Sequence, residues 1–269
     1  MSSVSAPIPF ARLGGKRGLH WLRQAARMFR AAPLPWLLLL LTYYVLIALT
    51  EFGPWQLVGR FVAPLLKPVF AVGFLAAAWT QERGGRPSFT HLFRGFQSNL
   101  GALLPLGLLF LGGMATAVLA TTLVDGGQLI GLLGSAGGVT EEALRSGRPQ
   151  LAMLFGAACA LPTLLALWFA PALVVFEDAG FVKAVGTSFR AGLANWRAIA
   201  VYGLAVFALG GVLPGLVLSI GELFGDTAAG LVTLFVIVPY LFSFVATLHI
   251  SDYMSYRDVF HGAELQPQA

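Results

Sequence analysis

Along the chain, long apolar stretches alternate with shorter segments in which rings and cations recur at helical spacing. A bilayer-crossing helix takes about twenty predominantly apolar residues. Six stretches meet that length: Ala32–Thr50, Phe61–Trp79, Leu100–Leu123, Leu151–Phe176, Ala198–Leu223 and Ala228–Ile250. Three amphipathic segments precede or separate them. Projected at 100° per residue, Leu19–Arg30 sets Trp21, Leu22, Ala25, Met28 and Phe29 against Arg23, Arg27 and Arg30. Phe89–Asn99 sets Phe89, Leu92, Phe93 and Phe96 against His91, Arg94 and Ser98. Phe181–Arg197 sets Phe181, Val185, Phe189, Gly192 and Trp196 against Lys183, Thr187, Arg190, Ala194 and Arg197. Each pattern predicts an interfacial helix with its rings at the acyl boundary and its cations among headgroups.

Two of these joints echo one another. FRGFQSNLGALLPLGL (Phe93–Leu108) and FRAGLANWRAIAVYGL (Phe189–Leu204) align without a gap and share Phe, Arg, Asn, Ala, Gly and Leu. Phe29-Arg30 opens the same phrase a third time, with Pro35 in place of the asparagine. The predicted fold is therefore all-α, a polytopic membrane helix bundle of about six transmembrane helices. They form three parallel repeats of an amphipathic helix plus a helix pair, at about 18–80, 88–177 and 181–250. Residues 1–17 are expected to be a disordered basic tail, 18–250 a single transmembrane domain and 251–269 a cytoplasmic tail. Asn99 and Asn195 hold equivalent places. There an amide can satisfy backbone groups freed where a helix turns, or touch a ligand.

Composition strengthens the membrane reading. Hydrophobic residues make up 57% of the 269 and charged residues 11%, against about 25% charged in a soluble domain. Mean hydropathy is +0.79. So little charge cannot cover a water-facing surface, and lipid must be part of the solvent. The cations are unevenly placed. Arg12, Lys16, Arg17, Arg23, Arg27, Arg30, Arg83, Arg86, Arg94, Lys183, Arg190, Arg197 and Arg257 flank one side of the spans. Only Arg60, Arg145 and Arg148 flank the other. Lys and Arg mark the cytoplasmic side, so both termini are expected there. The first apolar core is too long and too late for a cleaved signal peptide and is expected to stay as an anchor. Trp36, Tyr43, Tyr44, Trp55, Trp79, Trp168 and Trp196 fall mostly near span ends, as interfacial anchors.

Three cytoplasmic segments carry a resemblance. APALVVFEDAGFVKAVGTSFRAGLANWRAIAVYG (Ala170–Gly203), QERGGRPSFTHLFRGF (Gln81–Phe96) and YMSYRDVF (Tyr253–Phe260) resemble the signature blocks of a bacterial family of uncharacterised six-span inner-membrane proteins. More loosely, the layout is similar to the membrane domain found beside some glycerophosphodiester phosphodiesterases, although no phosphodiesterase domain is present. The resemblance implies fold and bacterial inner-membrane location, and no catalytic residue.

The chemistry-bearing patterns are sparse. His20, His91, His249 and His261 form no metal spacing, one cysteine (Cys159) lies in an apolar run, and Ser135 in GSAGG lacks the elbow of a nucleophilic serine. No catalytic, cofactor or metal residue is assigned. The candidate lipid or ligand contacts are Lys67, Arg94, Asn99, Ser188, Arg190, Asn195 and His249. Lys67 lies six residues into the second span between Pro64 and Pro68. Its amine either snorkels to the outer headgroups or pairs with an anionic lipid or substrate. Glu177, Asp178, His249 and Asp252 close two spans, with Ser188 and Asn195 facing them. They either bind a headgroup or pair with Lys183, Arg190, Arg197 and Arg257. The expected function is a non-enzymatic inner-membrane structural or accessory component. Its partners are anionic lipid at the cytoplasmic face or another protein, without nucleic acid. A transporter or flippase for a lipid or small amphiphile is the alternative, and it requires a polar cavity reaching the bilayer midplane.

Overall fold

The computed structural model describes residues 7–51, 56–134 and 146–262. Trp55, Ser135 and Arg145 lie outside the described residues, as do residues 1–6 and 263–269 of the expected tails. Among the described residues every regular element is helical. In chain order these are α1 (Lys16–Ala31), α2 (Pro33–Glu51), α3 (Gln56–Glu82), a 3-10 run (Phe89–Gln97) and α4 (Leu100–Ala120). Two short helices, Thr122–Asp125 and Gln128–Gly134, follow, and next come α5 (Arg148–Trp168), α6 (Ala170–Phe176) and α7 (Phe181–Ala194). Two long helices, α8 (Trp196–Glu222) and α9 (Asp226–His261), complete the order. Six helical stretches are long and apolar enough to cross a membrane, α4 being extended by Thr122–Asp125 and α5 by α6.

The core is lopsided. Half of the apolar stretch of α3 is buried, against 6% of α8. The buried side chains gather at the end of the bundle that carries α1, the 3-10 run and α7, here called the basal end. Trp21, Trp36, Phe74, Phe169, Leu92, Leu103, Leu173 and Ile250 are among the largest of them. At the opposite end Leu123, Leu216, Ile220, Leu223, Phe224 and Phe235 stay exposed. In lipid that exposure costs little, because acyl chains are as apolar as leucine. At the basal end water is near, and apolar side chains gain by packing. Close approach is built in with glycine. A Cβ on Gly18 of α1 would strike the Ala198 carbonyl of α8, and one on Gly107 of α4 would strike the Leu65 carbonyl of α3.

The amphipathic segments differ from the sequence reading. The apolar face of α1 (Trp21, Leu22 and Ala25) is buried on α8 and α9, so protein rather than an acyl boundary covers it. Arg23, Arg27 and Arg30 remain exposed. On α7 the buried row is Ala184, Thr187, Ser188, Ala191 and Gly192, packed on α5. That row lies between the two faces expected for Phe181–Arg197. The bulky rings do not enter because a small-residue row lets two backbones approach. In the 3-10 run Leu92 and Gly95 are buried while Phe89, Phe93 and Phe96 stay exposed.

The tails also differ. Residues 7–15 are seated on the bundle, not loose: the Ala11 amide donates to the Val259 carbonyl at 2.8 Å, and the Phe10 ring meets Phe260 edge-on at 6.3 Å. At the other terminus α9 runs on to His261, with Tyr253, Met254, Tyr256, Val259 and Phe260 buried. Residues 251–262 therefore form the floor of the core rather than a tail.

Candidate functional site

At the basal end, α9 gathers the carboxylates. Asp258 accepts from the Arg17 guanidinium at 2.7 Å and from the Trp21 indole at 2.8 Å. Glu82, at the end of α3, receives Arg257 and the Tyr253 hydroxyl, and Arg257 also donates to Gln24 at 3.1 Å. Glu177, after α6, accepts from the Tyr256 hydroxyl at 2.6 Å and faces His261 at 3.0 Å. Gln81 ties the helices further, accepting from the Trp36 indole at 2.6 Å and donating to the Met28 carbonyl at 2.8 Å. The expected pairing of Glu177 with Arg190 or Arg197 is corrected: its partners come from α9, while Arg190 and Arg197 are exposed and the expected Arg257 pairs with Glu82.

Two of the candidate residues are structural. Ser188 is fully buried. Its hydroxyl donates to the Leu165 carbonyl at 2.8 Å and accepts the Phe169 amide at 2.9 Å. It thereby bridges the Leu165 carbonyl and the Phe169 amide, the i,i+4 pair left open at the break between α5 and α6. Asn195 is equally buried and grips the N-terminal segment. It accepts from the Leu13 amide at 2.7 Å and donates to the Ala11 carbonyl and the Ala191 carbonyl, each at 2.9 Å. Neither faces Glu177 or Asp252. Asn99 caps α4, accepting the Ala102 amide at 3.1 Å. The equivalent asparagines of the echoed phrase thus serve different backbones.

The remaining candidates line spaces. Arg94 is exposed and borders a basal cavity of about 540 Å³ together with Trp79, Thr80, His91, Gln97, Ser98 and Phe176. His91 accepts the Ser88 amide on Nδ1 at 3.0 Å, with Thr80 Oγ1 3.1 Å from Nε2. The Arg190 Nε donates to the Gly186 carbonyl at 3.2 Å on an exposed face. His249 stacks on Phe74 (centroids 3.9 Å, planes 8° apart) and stands 3.8 Å from Asp252.

Lys67 departs from the snorkelling expectation. Its amine lies 4.5 Å over the Phe110 ring, and Phe110 stands ten residues into α4, about 15 Å along the axis. The amine therefore sits at mid-bundle depth rather than at the outer headgroups, on a residue that stays exposed. It lines a half-open cavity of about 290 Å³ whose other walls include Leu75, Leu164, Trp168, Pro171 and Asp252. Asp252 went unnoticed as its companion because the two are far apart in sequence, and an acid near a span end reads as a cap. Among the described residues no cluster of three His, Cys, Asp or Glu is placed to hold a metal.

Helices of this length, a core confined to one end and a charge-bearing cavity within the bundle define a polytopic helical membrane protein. The chain is 33% identical over 254 residues, 92% of each sequence, to a probable inner membrane protein of Burkholderia thailandensis, and it belongs to that protein's family. No family model and no solved structure matches it.

Proposed function

We propose that the protein is a non-enzymatic, multi-pass accessory component of the bacterial inner membrane. In this reading both termini face the cytoplasm and the basal rim holds anionic lipid headgroups. One observation carries it: the basal carboxylates Asp258, Glu82 and Glu177 are consumed inward by α1 and α9, while Arg12, Lys16, Arg23, Arg27, Arg30, Arg86, Arg94 and Arg190 are exposed. Asp178 stays exposed among them, but the exposed cations outnumber it and leave the surface positive, and each cation near an anionic leaflet adds about 1 kcal/mol. The exposed Phe89, Phe93, Phe96 and Trp196 beside these cations suit the same interface. The histidines His91, His249 and His261 are engaged in internal contacts, which favours the non-enzymatic reading.

The test is lipid retention. Wild-type protein extracted in native nanodiscs is expected to enrich phosphatidylglycerol, and Arg23→Gln, Arg27→Gln, Arg94→Gln and Arg190→Gln together are expected to abolish the enrichment. Each loss should weaken retention about fivefold, the ratio for ~1 kcal/mol. Unchanged lipid ratios and unchanged copurifying proteins in the fourfold variant would sink the proposal. The second reading, movement of an amphiphile, is favoured by the cavity at Lys67 standing where solid packing would have argued against it.

A further inference from the structure

We infer that the cavity between Lys67 and Asp252 is a binding site for a zwitterionic phospholipid headgroup, its phosphate at Lys67 and its ammonium at Asp252. This goes beyond the basic rim, because it concerns a site between the helices that selects a neutral lipid.

An ionisable residue inside a membrane bundle is costly unless it meets a partner or a ligand. Lys67 and Asp252 line one cavity whose remaining walls are Pro68, Ala71, Leu75, Phe110, Leu164, Leu167, Trp168, Pro171 and Ala172. Each charge faces the other across the cavity, and among the described residues neither is hydrogen-bonded to an opposite charge. The contact recorded for the Lys67 amine is the Phe110 ring, at 4.5 Å. Asp252 has the His249 Nδ1 at 3.8 Å, beyond hydrogen-bond reach, and half of its side-chain surface stays open. A ligand bearing one anionic and one cationic group would complement both, whereas an anionic lipid would complement Lys67 alone and meet repulsion at Asp252.

The layout along the helices sets the orientation. On α3 the lining runs from Lys67 to Leu75, toward the basal end, and Asp252 lies in the basal part of α9. A phospholipid of the basal leaflet carries its ammonium outermost, its phosphate next and its chains toward the midplane. Its headgroup entering from that leaflet would meet Asp252 first and reach Lys67 with the phosphate. Trp168, also in the wall, presents a ring on which an ammonium can rest. The chains would leave past Phe110 and Leu164. At about 290 Å³ the cavity is at the lower limit for small-molecule sites, sized for a headgroup rather than a whole lipid, and its half-open form leaves the chains to the bilayer. The approach is also marked: Trp79, one turn beyond Leu75 on α3, lines the basal cavity of about 540 Å³ together with Phe176.

The shared chemistry, phosphate plus ammonium, could come from a lipid or from a soluble headgroup, and the apolar wall favours the lipid. The experiment is native mass spectrometry of the full chain in nanodiscs of phosphatidylethanolamine and phosphatidylglycerol in equal amounts. One phosphatidylethanolamine should be retained per chain after mild activation. Lys67→Met and Asp252→Asn should each cut its occupancy roughly ten- to hundredfold, the effect of losing one charge-assisted hydrogen bond. Lys67→Arg should retain it. Leu164→Phe, which fills the wall without touching charge, should also expel the lipid, and its unchanged thermal midpoint would show that the fold survives. Retention of phosphatidylglycerol instead, indifferent to Asp252→Asn, would overturn the assignment, as would no stoichiometric lipid at all. Displacement by glycerophosphoethanolamine at equal concentration would overturn the lipid as source. The rim variants alter neither Lys67 nor Asp252, so failure at the rim and failure in the cavity are read separately.

Discussion

At the scale of single residues, the polar groups of the core are matched with few exceptions, and the exceptions predict outcomes. Thr187 is buried with its hydroxyl unpartnered. Thr187→Val removes that desolvated group at nearly constant shape and is expected to stabilise by about 1 kcal/mol, visible as a higher thermal midpoint in detergent. Asp258 is the converse case. Asp258→Ala would leave the fully buried Trp21 indole without its acceptor and release Arg17, at a cost of about 2 kcal/mol. The midpoint should fall and protease access to residues 7–15 should rise. Only part of this was legible in the sequence. Asn99 and Asn195 were marked by the echoed phrase, and their backbone-satisfying role follows from amide chemistry. That Asn195 would hold Leu13 and Ala11, more than 180 positions away, could not follow from any local pattern. Arg17 and Asp258 are equally remote, so neither was read as the other's partner.

At the scale of elements, periodicity located the helices well and their environments poorly. The apolar lengths predict six spans, and six membrane-competent helices are present among the described residues. A row of glycines, alanines and hydroxyls does not stand out in hydropathy, so the α7 face that packs on α5 was missed. The same physics predicts a contrast between two glycines. Gly18→Ala should prevent α1 from docking, since its Cβ would meet the Ala198 carbonyl, whereas Gly186→Ala, with open space around it, should fold normally. Amide hydrogen exchange in α1 would separate the two variants. The long outer helices carry a further device that hydropathy does not show. A π-turn at Ala208–Val212 in α8 is followed by Pro214, and another at Thr233–Ile237 in α9 is followed by Pro239. Proline withdraws a backbone donor and widens the turn before it. The Tyr240 hydroxyl then occupies the Leu209 carbonyl at 2.8 Å, tying the two turns together.

At the scale of the whole molecule, the chain divides its solvent. The basal end is packed with rings and carboxylate bonds as a water-facing protein would be, and the opposite end leaves its leucines to lipid. The uneven placement of Lys and Arg was visible in the sequence, but its cause was not. Asp258, Glu82 and Glu177 turn inward onto α1 and α9, so the surface is left with more cations than acids, and both the rim and the Lys67 cavity depend on which leaflet that surface meets. The most direct measurement is therefore sidedness. With Cys159, the chain's single cysteine, replaced by alanine, one new cysteine is placed at exposed Gln97 on the basal end or at exposed Thr227 on the opposite end. Intact spheroplasts are then treated with a membrane-impermeant maleimide. The account predicts immediate labelling of Thr227→Cys and labelling of Gln97→Cys only after lysis. Labelling of Gln97→Cys in intact cells would put the basic rim on the wrong face and contradict it.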